Sequence, residues 1–476
     1  MAFLKELSLV KNNFLSGIDV LSRRAAQISA EIQQGERRSY NEVLDLSSGD
    51  LHRGGIKPIT FVRQVLAACF YPALLEDDSL PLDVKQRAES LLRECDGGSV
   101  GSYTDSSGMA KVKRCVSQFI TSRDGGVPSS PDNIFIKSGS QTALMIMLKL
   151  LIRSTDSCRT GVLIPVPTYA SFSLALEEQG AAIIPYYLCE EQGWMLQVEE
   201  LRRALQSARK TCNPAALYIC NPGNPTGHIQ SRKSIEEVIR FAAEEKLVIL
   251  ADEVYQSCVY GDNTEFYSYK KVLSEMGSTI SSTVELASFH SVSKGFMGEC
   301  GFRGGYVELV NIDPEVKEHA SRLFSTRSCP PVVGQIALDL MTDPPKPGDP
   351  SFPTFSEEVQ SIKNTICKNT GRIQEVISEL PGVSCQPLKA GFFIFPSLYF
   401  PPKAIKWAEK REMEPDFLYC LHLLEETGLH ARPGCEYRQR EDSHHIRLFV
   451  GTRENVMEDA LQRLKTFHVR FMKEFS

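Results

Sequence analysis

No stretch of this 476-residue chain stays apolar for the roughly 20 residues that a membrane-spanning helix needs. No basic tract and no block of like charge stands out either. The 53 Lys and Arg nearly balance 59 Asp and Glu, leaving a formal net charge of −6, so neither a nucleic-acid surface nor a charged tail is expected. The 14 cysteines fall into no CxxC pair and no regular framework, and they read as reduced thiols. His444 and His445 are adjacent, but no Cys/His cluster has metal spacing, so no metal is expected. "GGSVGS" (97–102) follows no strand and opens no helix, which argues against a dinucleotide loop. The opening "MAFLKELSLVKNNFLSG" carries Glu6 early. It lacks both the apolar core of a secretory signal and the Arg- and Ser-rich bias of a transit peptide, so a cytoplasmic protein is expected ahead of a mitochondrial one.

What is present is alternation. Continuous apolar runs, "NIFIKSG" (133–139), "GVLIPVP" (161–167), "AAIIPYYL" (181–188), "ALYICNP" (216–222), "LVILADEVY" (247–255), "ELASFHSVSK" (285–294) and "GGYVELV" (304–310), are separated by helix-period segments such as 141–152, 198–210 and 232–246. That pattern predicts an α/β fold whose seven-stranded, mostly parallel sheet is covered on both faces. The Pro- and Gly-rich "DPPKPGDPSFP" (343–353) precedes a long helical pattern (356–380) and shorter strand candidates. The expected division is an N-terminal arm and part of a small domain over 1–70, a large domain over 71–340, and a small α/β domain over 341–476.

Ligands in such sheets gather where the strands end. There the chain places Ser140 and Gln141, Tyr169, Asn224 in "LYICNPGNPTG", Asp252 and Tyr255, Ser291, Ser293 and Lys294, and Arg303 nine residues further on. Each alone has a plain reading as a cap, a turn or a surface residue. Together they match what pyridoxal 5′-phosphate requires. Lys294 would form the Schiff base with its aldehyde. Asp252 would keep its ring nitrogen protonated. Asn224 and Tyr255 would donate to its phenolic oxygen, and Tyr169 would stack on the ring. The helix start at Ser140–Gln141, with Ser291, Ser293 and Arg303, would cradle the phosphate.

"CNPGNPTG", "LADEVYQ", "SFHSVSKGFMGECGFRGGYVE" and "LLEETG" resemble the alanine aminotransferases among the fold-type-I pyridoxal-phosphate enzymes, from about Ser39 to the C-terminus. The resemblance implies transfer of the amino group of L-alanine to 2-oxoglutarate by a ping-pong route through Lys294. It also implies that Arg447 clamps the substrate carboxylate, that Gly49 lies beside the substrate, and that Tyr103 reaches the phosphate of a neighbouring subunit in a homodimer with shared sites. The chain departs from the family pattern at Gln141 (Ser expected), His228 (Gln), Phe393 (Tyr) and Cys435 (Ser). Arg432 and Glu436 add charge to the same C-terminal loop. These changes leave open a paralogue with another amino-acid preference. A lyase of the same superfamily and a catalytically silent homologue are further alternatives.

Overall fold

The computed structural model describes residues 17–152, 158–261, 264–326 and 328–476. Residues 1–16, and with them most of the segment read for a leader, lie outside the described residues. The chain divides into two compact units: one formed by 50–367 with 388–392, the other by 1–49, 368–387 and 393–476.

The larger unit holds a seven-stranded sheet. Its strands are β1 (Ile134–Ser138), β2 (Thr160–Val166), β3 (Ala182–Tyr187), β4 (Asn213–Cys220), β5 (Val248–Asp252), β6 (Leu286–Ser291) and β7 (Gly304–Val310), in the order β1-β7-β6-β5-β4-β2-β3. Only β7 runs antiparallel to its neighbours, pairing β1 on one side and β6 on the other. The helices Ser140–Leu151, Ala170–Glu178 and Pro314–Ser325 bring Leu144, Phe172 and Phe324 into one cluster with Phe135, Ile164, Tyr218 and Phe289 of the strands. Strand residues of the opposite parity, among them Ile136, Leu163, Leu217 and Ile249, are equally buried. A strand covered on both faces has no polar side to show, which is why these runs are continuous rather than alternating. Each fully buried large side chain contributes roughly 1.5–3 kcal/mol.

The smaller unit holds three small sheets. Phe393–Ile394 and Arg432–Pro433 flank Ile446–Phe449 antiparallel, Leu44–Asp45 runs parallel to Leu429–His430, and Ser397–Leu398 pairs Val383–Ser384. Helices Gly17–Gln33, Pro415–Thr427 and Glu454–Phe475 belong to it, and Phe400, Tyr419, Phe467 and Phe471 pack in it as an aromatic core.

The boundaries at 49/50 and 367/368 lie away from the 70/71 and 340/341 expected from composition. Helix Thr60–Phe70 packs against helix Leu82–Glu94, and Val332–Thr342 packs against Ala110–Arg123, so both flanking helices join the larger unit. The Pro/Gly-rich stretch breaks a helical pattern without ending a unit. No helix among the described residues is long and apolar enough to cross a membrane.

Candidate active site

The parallel strands β1, β2, β4, β5 and β6 end on one edge of the sheet, and the antiparallel β7 begins there. This topology explains why Arg303, which precedes its strand, belongs with residues that follow theirs. Ser140, Gln141, Tyr169, Asn224, Asp252, Tyr255, Ser291, Ser293, Lys294 and Arg303 all lie in the larger unit. Gly49 and Arg447 lie in the smaller one, and Tyr103, 78% exposed, lies on the larger.

Asp252 closes β5 and is buried. One carboxylate oxygen accepts from the Tyr218 hydroxyl at 2.9 Å, the other from the Val254 amide at 3.4 Å. Burial pushes its carboxyl up to about 6, against the opposing pull of the Tyr218 hydroxyl, the Val254 amide and the Lys294 charge. A cationic partner brought to it would therefore be held strongly. Tyr218 was not singled out from sequence. A tyrosine inside an aliphatic run signals a buried hydroxyl that requires a partner, but the run does not say which partner. Its ring stacks on Phe172 with centroids 3.8 Å apart.

Lys294 follows β6, its Nζ 5.8 Å from the centroid of the Tyr255 ring. Tyr255 is buried and meets Phe392 edge-on at 5.8 Å. Asn224 is buried in the turn after β4, between cis Asn221–Pro222 and cis Asn224–Pro225. That turn is closed by the Gly223 amide donating to the His228 carbonyl (2.9 Å) and the Gly227 amide to the Gly223 carbonyl (3.0 Å). His228 pairs with the Thr226 hydroxyl at 2.6 Å, and burial lowers its imidazole to about 4, so it is neutral at neutral pH.

The helix Ser140–Leu151 starts directly after Gly139, whose φ of +85° is left-handed. A Cβ there would stand 2.4 Å from Nη2 of Arg303. The guanidinium is held by the Cys300 carbonyl (2.8 Å) and the Ser138 carbonyl (3.3 Å). A cation, a glycine turn and the free amides of a helix start therefore meet at one place, which is the composition of an anion cradle. Gln141 turns its side chain to the Ser171 carbonyl at 3.5 Å, leaving its backbone amide at the helix start. Ser291 ends β6 and accepts from the Ser293 amide at 3.4 Å. Tyr169 caps helix Ala170–Glu178 from the end of β2.

In the smaller unit Arg447 sits in the central strand of its sheet, only 7% exposed. Its guanidinium lies 3.7 Å from the centroid of the Phe393 ring and 5.0 Å from that of Tyr437, and Nη2 donates to the Ser47 carbonyl at 2.6 Å. Phe393, one of the departures, is thus a stacking partner of this arginine. The extra charges in the C-terminal loop neutralise each other, Arg432 pairing with Glu436 at 3.4 Å. Burial raises the Glu436 carboxyl to about 7 against the pull of Arg432 and Arg447. The Cys435 amide donates to Asp416 at 3.0 Å, and burial pushes the Cys435 thiol well up, which makes it a poor nucleophile.

The family model for aminotransferases of class I and II matches residues 66–464. This chain belongs to that aminotransferase family. Alanine aminotransferase 2 of Xenopus laevis is 48% identical over 95% of this chain and 84% of its own length, and alanine aminotransferase 1 of Homo sapiens is 46% identical over 95% and 92%. A solved aminotransferase from Escherichia coli shares the fold, with a TM-score of 0.73 at 20% identity over 95% of both chains.

The cofactor of this aminotransferase is pyridoxal 5′-phosphate. The donor set fits it on its own chemistry: a buried carboxylate on a hydroxyl tether, a lysine beside an aromatic ring, and a cradle that a single Cβ at Gly139 would fill. Among the described residues no group of three His, Cys, Asp or Glu could hold a metal.

Proposed function

We propose that this aminotransferase moves the amino group of L-alanine to 2-oxoglutarate, giving pyruvate and L-glutamate, and that Lys294 carries the chemistry. The observation that supports this most is the juxtaposition of a lysine and a carboxylate at neighbouring strand ends. A lysine follows β6, and its charge pulls on a buried, hydroxyl-anchored carboxylate at the end of neighbouring β5. The identity of 46–48% to alanine aminotransferases supports the substrate pair.

The bound cofactor supplies an aldehyde that takes up the amino group and a ring that accepts electrons. Asp252 would hold a proton on the ring nitrogen. With the cofactor bound, Lys294 Nζ, as a neutral amine, would take the proton from the substrate α-carbon and hold it for return. Asn224 and Tyr255 would hold the phenolic oxygen, Tyr169 would stack on the ring, and the helix start at Ser140 and Gln141 with Ser291, Ser293 and Arg303 would hold the phosphate. Arg447 clamps the α-carboxylate and Gly49 leaves room for it.

Lys294→Ala is expected to retain pyridoxal phosphate through its phosphate and ring contacts while losing turnover. Transamination by that variant in a coupled pyruvate assay would overturn the assignment. We infer further that two copies share their sites through Tyr103, whose exposure suits a residue that reaches another chain. The 14 cysteines, all free thiols, support a reducing compartment.

A further inference from the structure

Arg447 does not hold its place alone. Its Nη2 donates to the main-chain carbonyl of Ser47, a residue 3% exposed whose own position is fixed from the other side. The Ser47 amide donates to Asp45 Oδ1 at 2.9 Å, and the Ser47 hydroxyl donates to the same oxygen at 2.6 Å. His430 Nδ1 lies 3.3 Å from that oxygen as well. Asp45 and His430 are register partners in the two-residue pairing Leu44–Asp45 with Leu429–His430, and Leu46 continues it by donating to the His430 carbonyl at 2.9 Å. The Phe449 amide then donates to the Leu46 carbonyl at 2.9 Å, tying the strand that bears Arg447 to the same segment.

We infer that Asp45, seated on His430, is a positioning residue for the substrate-carboxylate clamp: it fixes Ser47, whose carbonyl fixes Arg447. The inference rests on the reading of Arg447 as that clamp. One carboxylate oxygen takes two donors from Ser47 and so fixes the backbone and side chain of the residue from which the 47 carbonyl projects. The Phe393 and Tyr437 rings restrain the guanidinium across its plane. The Ser47 bond adds an in-plane contact that sets which way the fork points. A clamp of this kind acts equally on substrate and transition state, so loosening it belongs in KM rather than kcat.

The test is a double-mutant cycle on the pyridoxal-phosphate-loaded protein, with Asp45→Ala, Arg447→Lys and the pair. Asp45→Ala should raise KM for both L-alanine and 2-oxoglutarate about tenfold with kcat and the cofactor's visible absorbance unchanged. Asp45→Asn, which keeps an acceptor for Ser47, should recover most of the loss. On top of Arg447→Lys, the Asp45 change should add little. Penalties that multiply in the pair, or a loss in kcat alone, would overturn the inference while leaving the clamp standing. An Arg447→Lys variant with unaltered KM would overturn the clamp and the inference with it. Should Asp45→Ala not accumulate as folded protein, Ser47→Ala takes its place in the cycle; it removes only the hydroxyl bond and should raise KM about threefold.

Discussion

In the proposed mechanism Asp252 is the residue on which the electronics of the site turn. With its carboxyl raised to about 6 by burial, the cofactor-free protein carries it neutral in mild acid and ionised above neutrality. Only the ionised form pairs with a protonated ring nitrogen, so capture of pyridoxal phosphate should fall as pH drops through about 6. Equilibrium titrations across pH check this, and Asp252→Asn should lose that step. The same variant should lose turnover by at least about a hundredfold, because an amide cannot keep the ring nitrogen protonated as a carboxylate does, and the unprotonated ring is a poor electron acceptor. The positions of Lys294, Asp252 and Asn224 at strand ends were legible in the sequence because each closes or follows an apolar run. Tyr218, Asp45, Ser47 and Tyr437 were not. Their parts depend on hydrogen bonds and stacking that local pattern does not encode, and Asp45 meets His430 across 384 residues of intervening chain.

At the scale of elements, the close seating of β7 against the start of helix Ser140–Leu151 sets the anion cradle. Gly305 makes it possible, since a Cβ there would stand 2.4 Å from the Ser140 amide nitrogen and 2.5 Å from the Gly139 carbonyl carbon. Backbone cannot yield as a flexible side chain does. Gly305→Ala should therefore cost on the order of 1–3 kcal/mol of stability and weaken cofactor binding together. Thermal melting and a pyridoxal-phosphate titration of the same preparation check both; a variant with wild-type melting and binding would contradict the account of the cradle. The strands of the large sheet were readable to within a few residues, because burial on both faces leaves a continuous apolar run. The antiparallel sense of β7 was not marked by its residues, since "GGYVELV" looks the same in either direction. The small unit was harder to read. "GFFIFPSLYF" resolves into two two-residue strands on either side of Pro396, which cannot donate to a ladder, and these strands pair different partners.

For the whole molecule, the surface of the larger unit carries Phe70, Tyr71 and Tyr103 at 58%, 64% and 78% exposure. Large exposed aromatics fit burial against a second chain. Sedimentation should find two chains per particle, and Tyr103→Phe should weaken pyridoxal-phosphate binding without altering that stoichiometry. A fully active monomer would contradict shared sites. The unit boundaries escaped the sequence because a proline-rich stretch marks a break in a helix, whereas a unit is defined by which helices pack together, and that is a long-range property.

The most direct test of the central claim is the visible absorption of the pyridoxal-phosphate-loaded protein on adding L-alanine alone and then 2-oxoglutarate. The cofactor band should be lost with L-alanine as pyruvate appears, and should return with 2-oxoglutarate as L-glutamate appears. A loaded protein whose band ignores L-alanine would contradict the assignment of this chain to alanine transamination.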